Sequence, residues 1–191
     1  NKIASLVGLR LSRTKRGLRL SRLTRKKSAT SFPFSLKDKM IWQVGPDEVE
    51  KTLTLAVQYA YLADVAGDIA EFGTQSGRTA RAIASALART SSSKKLYLFD
   101  SFEGLPIAEA PEDQVHPFVI SGGWNPGNLK GLTVCELRKF VGRSGLPVDK
   151  IVVYPGWFRD TLPMLPPDTK FSMLHVDCDL YQSTMDVLDV C

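Results

Sequence analysis

The sequence predicts an α/β domain, a parallel sheet with helices on both faces. Short apolar runs recur along the chain with amphipathic helical patterns between them, the alternation that builds βαβ units. A glycine-bearing turn closes the first run and passes directly into a helix, as at the ligand-binding edge of such sheets. The 191 residues, 43% hydrophobic and 24% charged, suit a single core and exclude a disordered or fibrous chain.

Residues 1–40 read as a basic, Arg- and Ser-rich extension, and residues 41–191 as the domain. Residues 1–39 hold twelve Lys and Arg against one acid, Asp38, a local charge of +11 that leaves residues 40–191 net acidic at −6. The basic pI of 9.2 therefore belongs to the extension and does not make the domain a nucleic-acid binder. Leu6, Leu9, Leu11, Leu18, Leu20 and Leu23 alternate there with arginines and serines. Such a segment suits an anionic membrane surface, RNA, organelle targeting or a solvated tail. The absence of aromatic residues before Phe32 weighs against stacking on RNA bases.

Pro46, Asp47 and Glu48 signal a helix start, and Val49, Leu53, Val57 and Ala60 continue at helical spacing towards Gly67. Strand-like runs follow at 68–72, 95–99, 150–154 and 171–176. A helix with Ala80, Ile83, Ala84 and Leu87 on one face separates the first two. Thr133 and Glu136 form a capping-box pattern that opens another, whose apolar face is Leu137, Phe140 and Val141. A last helix is expected from about Ser183. Cys135, Cys178 and Cys191 are odd in number and lack C-x-x-C spacing, so neither a disulfide framework nor a structural zinc site is expected. Cys135 and Cys178 read as small core residues. No stretch approaches the roughly 20 apolar residues of a membrane span, and a cytoplasmic protein is the default expectation.

Ligands of open parallel sheets gather beyond the carboxyl ends of the strands. The first run ends in Glu71-Phe72-Gly73-Thr74-Gln75-Ser76-Gly77-Arg78-Thr79. This turn is one residue short of a phosphate loop and has Arg78 in place of the lysine, while Gln75 breaks the dinucleotide fingerprint. A nucleoside without phosphates remains. Asp100, at the end of the second run, is placed to accept from both ribose hydroxyls, and Glu71 or Gln75 to face the amino-acid part of S-adenosylmethionine. The fourth run ends in His175-Val176-Asp177-Cys178-Asp179. Alternation puts a histidine and two carboxylates on one side, oxygen ligands that suit Mg²⁺. His175 reads better as a hydrogen-bonded core histidine, Asp177 as a ligand, and Asp179 alternatively as the cap of the next helix.

The runs EFGTQSGRTA, LYLFDSFEGLP, VVYPGWFRDTLP and HVDCDLYQST, taken together, resemble the macrocin O-methyltransferase (TylF-like) family of class I S-adenosylmethionine-dependent methyltransferases over residues 41–191. The resemblance implies a Rossmann-like fold and an O-methyltransferase acting on a hydroxyl, that of a sugar on a natural product or glycan, with S-adenosylmethionine and Mg²⁺. It implies a cofactor turn of Glu71, Gly73, Thr74, Gln75, Ser76 and Gly77, with Asp100 and Ser101 at the ribose and Trp157 and Phe158 walling the site. Asp177 is implied as metal ligand and catalytic group, Asp179 as its partner on the metal, and His116 is an alternative base. Residues 116–130 read as a long irregular lid.

In the family a further strand with an Asp-Asp pair completes the metal site, and this chain reaches Cys191 before it. The expectation is a domain truncated at its C-terminus, with strands in the order third, second, first, fourth and the fourth left as an open edge. A homo-oligomer is one expected partner arrangement. The competing reading is a noncatalytic binding protein whose basic tail contacts RNA or an anionic membrane.

Overall fold

The computed structural model describes residues 9–14, 17–22 and 48–191. The chain divides into two units, Asn1–Val44 and Gly45–Cys191. In the first, strands β1 (Leu9–Thr14) and β2 (Gly17–Arg22) pair antiparallel, Leu11 opposite Leu20. The remainder of the basic extension, with the readings attached to it, lies outside the described residues.

The second unit carries helix α1 (Glu48–Leu62), strand β3 (Asp68–Phe72), α2 (Arg78–Ala88), β4 (Leu96–Asp100), the single-turn helices α3 (Pro111–Gln114) and α4 (Pro117–Ile120), α5 (Val134–Gly142), β5 (Ile151–Pro155), α6 (Phe158–Thr161), β6 (Phe171–Val176) and α7 (Tyr181–Leu188). The strands are parallel in the order β5-β4-β3-β6, the expected order. Two strands lie one residue later than expected, and α7 begins at Tyr181 rather than near Ser183.

Alternation along the strands sorts the core onto two faces. Ile69, Leu96, Leu98, Ile151 and Val153 pack under Leu53 and Val57 of α1, Ile83 and Leu87 of α2, and Leu137 and Val141 of α5. On the other face Phe72 and Phe99 stack at 4.7 Å between ring centroids, Phe99 and Tyr154 at 4.8 Å, and Leu162 and Val187 close over them. Strands β3 and β4 are buried almost throughout, as central parallel strands must be, whereas every residue of β6 is only half-buried. The expected edge is therefore β6.

The capping box is present as read: Glu136 N–H donates to Thr133 Oγ1 at 3.3 Å, and Thr133 N–H donates to Glu136 Oε2 at 2.9 Å. Cys178 is buried, but Cys135 is exposed, because it falls on the outer face of the first turn of α5. Among the described residues, no helix is long and apolar enough to cross a membrane.

Candidate functional site

A cavity of about 1000 Å³ opens beyond the carboxyl ends of the four parallel strands. Its walls include Gly73, Thr74, Gln75 and Ser76 after β3, Asp100 and Ser101 at the end of β4, Gly156, Trp157 and Phe158 after β5, and Asp177 and Asp179 after β6. Residues far apart in sequence thus converge because parallel strands end on one edge.

The turn after β3 is positioned by close packing of backbones. Gly73 has φ +86°, and a Cβ there would stand 2.1 Å from the Asp177 carbonyl oxygen, so only glycine lets β3 and β6 end side by side. The N–H of Gly73 donates to Phe99 O and that of Asp177 to Phe72 O, both at 2.9 Å, which extends the sheet pairing one residue into the site.

Asp100 organises this turn. Its Oδ2 accepts from the N–H of Thr74 at 2.7 Å, the N–H of Gln75 at 3.0 Å and the Thr74 hydroxyl at 3.1 Å, and its Oδ1 accepts from Phe102 N–H at 2.8 Å. The carboxylate expected to serve ribose hydroxyls therefore also binds β4 to the glycine turn, with Oδ1 the less crowded oxygen. Ser101 is similarly occupied, donating to Gly104 O at 2.8 Å.

Glu71 departs from its expected place. It is fully buried, lies outside the cavity wall, and its Oε1 is 3.0 Å from Nδ1 of His175, its register partner on β6. Cross-strand neighbours share a face, which makes this pairing a product of register. Burial raises the Glu71 pKa, with the hydrogen bond to His175 acting against it, and that same bond raises the His175 pKa. Glu71 Oε2 has no hydrogen-bond partner among the described residues. The core reading of His175 thus corresponds to its position.

Asp179 lines the cavity at φ +59° and does not cap α7. Its pKa is raised by burial and then by the charge of Asp177. The cap comes from elsewhere: Asp113, buried, accepts from Tyr181 N–H at 2.6 Å and Gln182 N–H at 3.3 Å, satisfying two of the open donors at the start of the helix. Sequence reading missed this residue because a Pro-Glu-Asp run reads only as the acidic first turn of its own short helix. The Cys178 thiol, between the two aspartates, is pushed up to about 12 by burial and by the charges of Asp177, Asp179 and Asp100, which disfavours its thiolate.

His116 does not line the cavity. It opens α4, its Nδ1 accepting from Phe118 N–H at 3.3 Å, and its ring stacks on Trp124 with centroids 4.4 Å apart. The residue expected as an alternative base thus packs within its own loop. Nor is 116–130 irregular throughout: α4 lies within it, Leu105 N–H donates to Asn128 O and Gly127 N–H to Leu105 O, each at 2.9 Å. Phe118, Trp124 and Leu129 from this segment face the cavity.

Among the described residues no group of three or more His, Cys, Asp or Glu is placed to hold a metal ion. Asp177 and Asp179 are instead two oxygen donors on one wall. Mg²⁺ commonly takes one or two carboxylates and keeps several waters, so the donor chemistry fits a protein share of that shell.

A model of the macrocin-O-methyltransferase (TylF) family matches residues 24–191. The chain belongs to this family. Within it, the chain is 32% identical over 130 residues to the 8-demethyl-8-(2,3-dimethoxy-alpha-L-rhamnosyl)-tetracenomycin-C 4'-O-methyltransferase of Streptomyces olivaceus, covering 67% of this chain and 49% of that protein. It is 30% identical over 126 residues to the demethyldecarbamoylnovobiocin O-methyltransferase of Streptomyces niveus, covering 65% and 47%. The structure of the O-methyltransferase NovP superposes with a TM-score of 0.60 at 26% identity, over 74% of this chain and 57% of that one. The calicheamicin methyltransferase CalS11 gives 0.60 at 22% over 82% and 60%, a likeness of fold. The chain spans about half the length of the curated relatives it matches.

Proposed function

We propose that this chain forms the cofactor-binding part of an S-adenosylmethionine-dependent O-methyltransferase whose acceptor is a hydroxyl on the sugar of a natural product or glycan. One observation carries the reading: a single cavity has a glycine turn and a strand-end carboxylate on one wall and two further carboxylates, Asp177 and Asp179, on another. The first wall suits a nucleoside, the second a hydroxyl to be deprotonated. Relatives named as O-methyltransferases of a rhamnosyl-tetracenomycin and of demethyldecarbamoylnovobiocin support the choice of reaction and of acceptor class.

The reaction is an in-line displacement. When bound, S-adenosylmethionine would supply a sulfonium-activated methyl group to the acceptor oxygen, the C–S bond electrons returning to sulfur as a neutral thioether as the C–O bond forms. Asp177, on the cavity wall, accepts the hydroxyl proton in this reading. Burial, and then the charge of Asp177, raise the pKa of Asp179 beside it. The glycine turn and Asp100 hold the nucleoside, while Trp157 and Phe158 exclude water from one side. A Mg²⁺ ion would be held by Asp177 and Asp179, and it would supply acidification of the acceptor hydroxyl.

Calorimetry with S-adenosylhomocysteine on the full-length protein tests the reading. Saturable binding that Asp100→Ala abolishes is expected. Absence of binding by the unmutated protein overturns it.

A further inference from the structure

Of the two residues expected at the amino-acid end of the cofactor, Glu71 is buried beneath the site and Gln75, an uncharged amide, lines the cavity, which leaves the two charges of an amino acid without charged partners from the turn. Asp100 stands at the end of β4, on one side of the glycine turn; β6 lies on the other side of β3, and α1 packs against both α2 and β6. A nucleoside held at Asp100 therefore directs its far end across the turn towards α1 and α2. Two charged residues of the cavity wall lie there, Glu50 in the first turn of α1 and Arg78, the first residue of α2.

The Arg78 guanidinium donates through Nε at 3.1 Å and Nη2 at 2.8 Å, both to Glu50 Oε1. The Arg78 side chain is 58% exposed and that of Glu50 19%. Pairs this open to water add little stability. As a recognition element the same pair is well matched: a planar cationic fork, which binds carboxylates in bidentate fashion, stands beside a fixed carboxylate. A cation and an anion at that spacing are the charge complement of an α-amino acid, whose carboxylate and ammonium share one carbon.

We propose that Arg78 and Glu50 form the subsite for the zwitterionic amino-acid end of the cofactor, Arg78 taking the carboxylate and Glu50 the ammonium. The inference rests on the S-adenosylmethionine reading above. The Arg78 that disqualifies the turn as a phosphate loop thereby acquires a role in the same cavity.

The test compares two probes by calorimetry on the full-length protein: S-adenosylhomocysteine, and 5′-methylthioadenosine, which keeps the nucleoside thioether and lacks the amino acid. Arg78→Gln is expected to weaken S-adenosylhomocysteine at least tenfold and to leave methylthioadenosine within twofold, with Glu50→Gln showing the same selectivity. Retained methylthioadenosine binding also certifies that each variant is folded. Should the unmutated protein bind S-adenosylhomocysteine while the variants bind it equally well, or lose both probes alike, the subsite is overturned and the cofactor reading stands. Should the unmutated protein bind neither probe, both fall.

Discussion

On the β3–β4 side of the cavity the wall is built from neighbours. Asp100 gathers three donors from Thr74 and Gln75, the strands behind it are buried, and Gly73 tucks its backbone against the Asp177 carbonyl. On the β6 side the strand is half-exposed, and the helix behind Asp177 and Asp179 is capped by Asp113, 68 residues before the first N–H it accepts from. The cofactor side is thus held by contacts between adjoining strand ends, and the acceptor side by a residue from a separate loop that leads into the segment carrying Phe118 and Trp124. Under the proposed function, the wall that faces the acceptor is tied through Asp113 to a loop.

Gly73→Ala should break the comparison most severely, since a Cβ at positive φ meets the carbonyl where the two walls join. A loss of about 3 kcal/mol or more in urea unfolding is expected, with cofactor binding lost alongside. Asp177→Asn should separate the walls: kcat falls by about 100-fold or more while affinity for S-adenosylhomocysteine stays within about twofold. Equal losses in both would place Asp177 on the cofactor side. Asp113→Ala should cost about 1 to 2 kcal/mol, as loss of a cap does, and should speed proteolysis within residues 101–132 with little change at the glycine turn.

The smallest effect concerns pH. His175 is raised in the folded state by Glu71, so its contribution is complete below the unfolded value of about 6.5 and is lost as pH rises through the folded value. Glu71, raised by burial, is held down by the same hydrogen bond, and Asp177 also faces the pair. The melting-temperature advantage of the unmutated protein over His175→Gln should accordingly shrink between pH 5.5 and pH 8.5. A constant difference would assign the pair to packing alone.

Much of this was legible in advance. Apolar runs and helical periodicity located every parallel strand to within a residue, and the motifs located the turn, Asp100 and Asp177. The misplacements share a cause. Glu71 belongs to the turn in sequence but points to the opposite face from Phe72, beneath the site; His116 sits in the right loop but faces Trp124. Each depends on which way one side chain turns, and motif spacing carries no information on that.

What the sequence by itself determined is the fold class, the family and the edge of the sheet where chemistry gathers, because hydrophobic period and turn chemistry are local properties read over a few residues. The tertiary structure alone decided the partners: Glu71 with His175, Asp113 with the start of α7, Glu50 with Arg78. Those pairings arise from strand register and helix packing, which bring together groups separated by 28 to 104 positions, and no spacing within a motif encodes a distance of that kind.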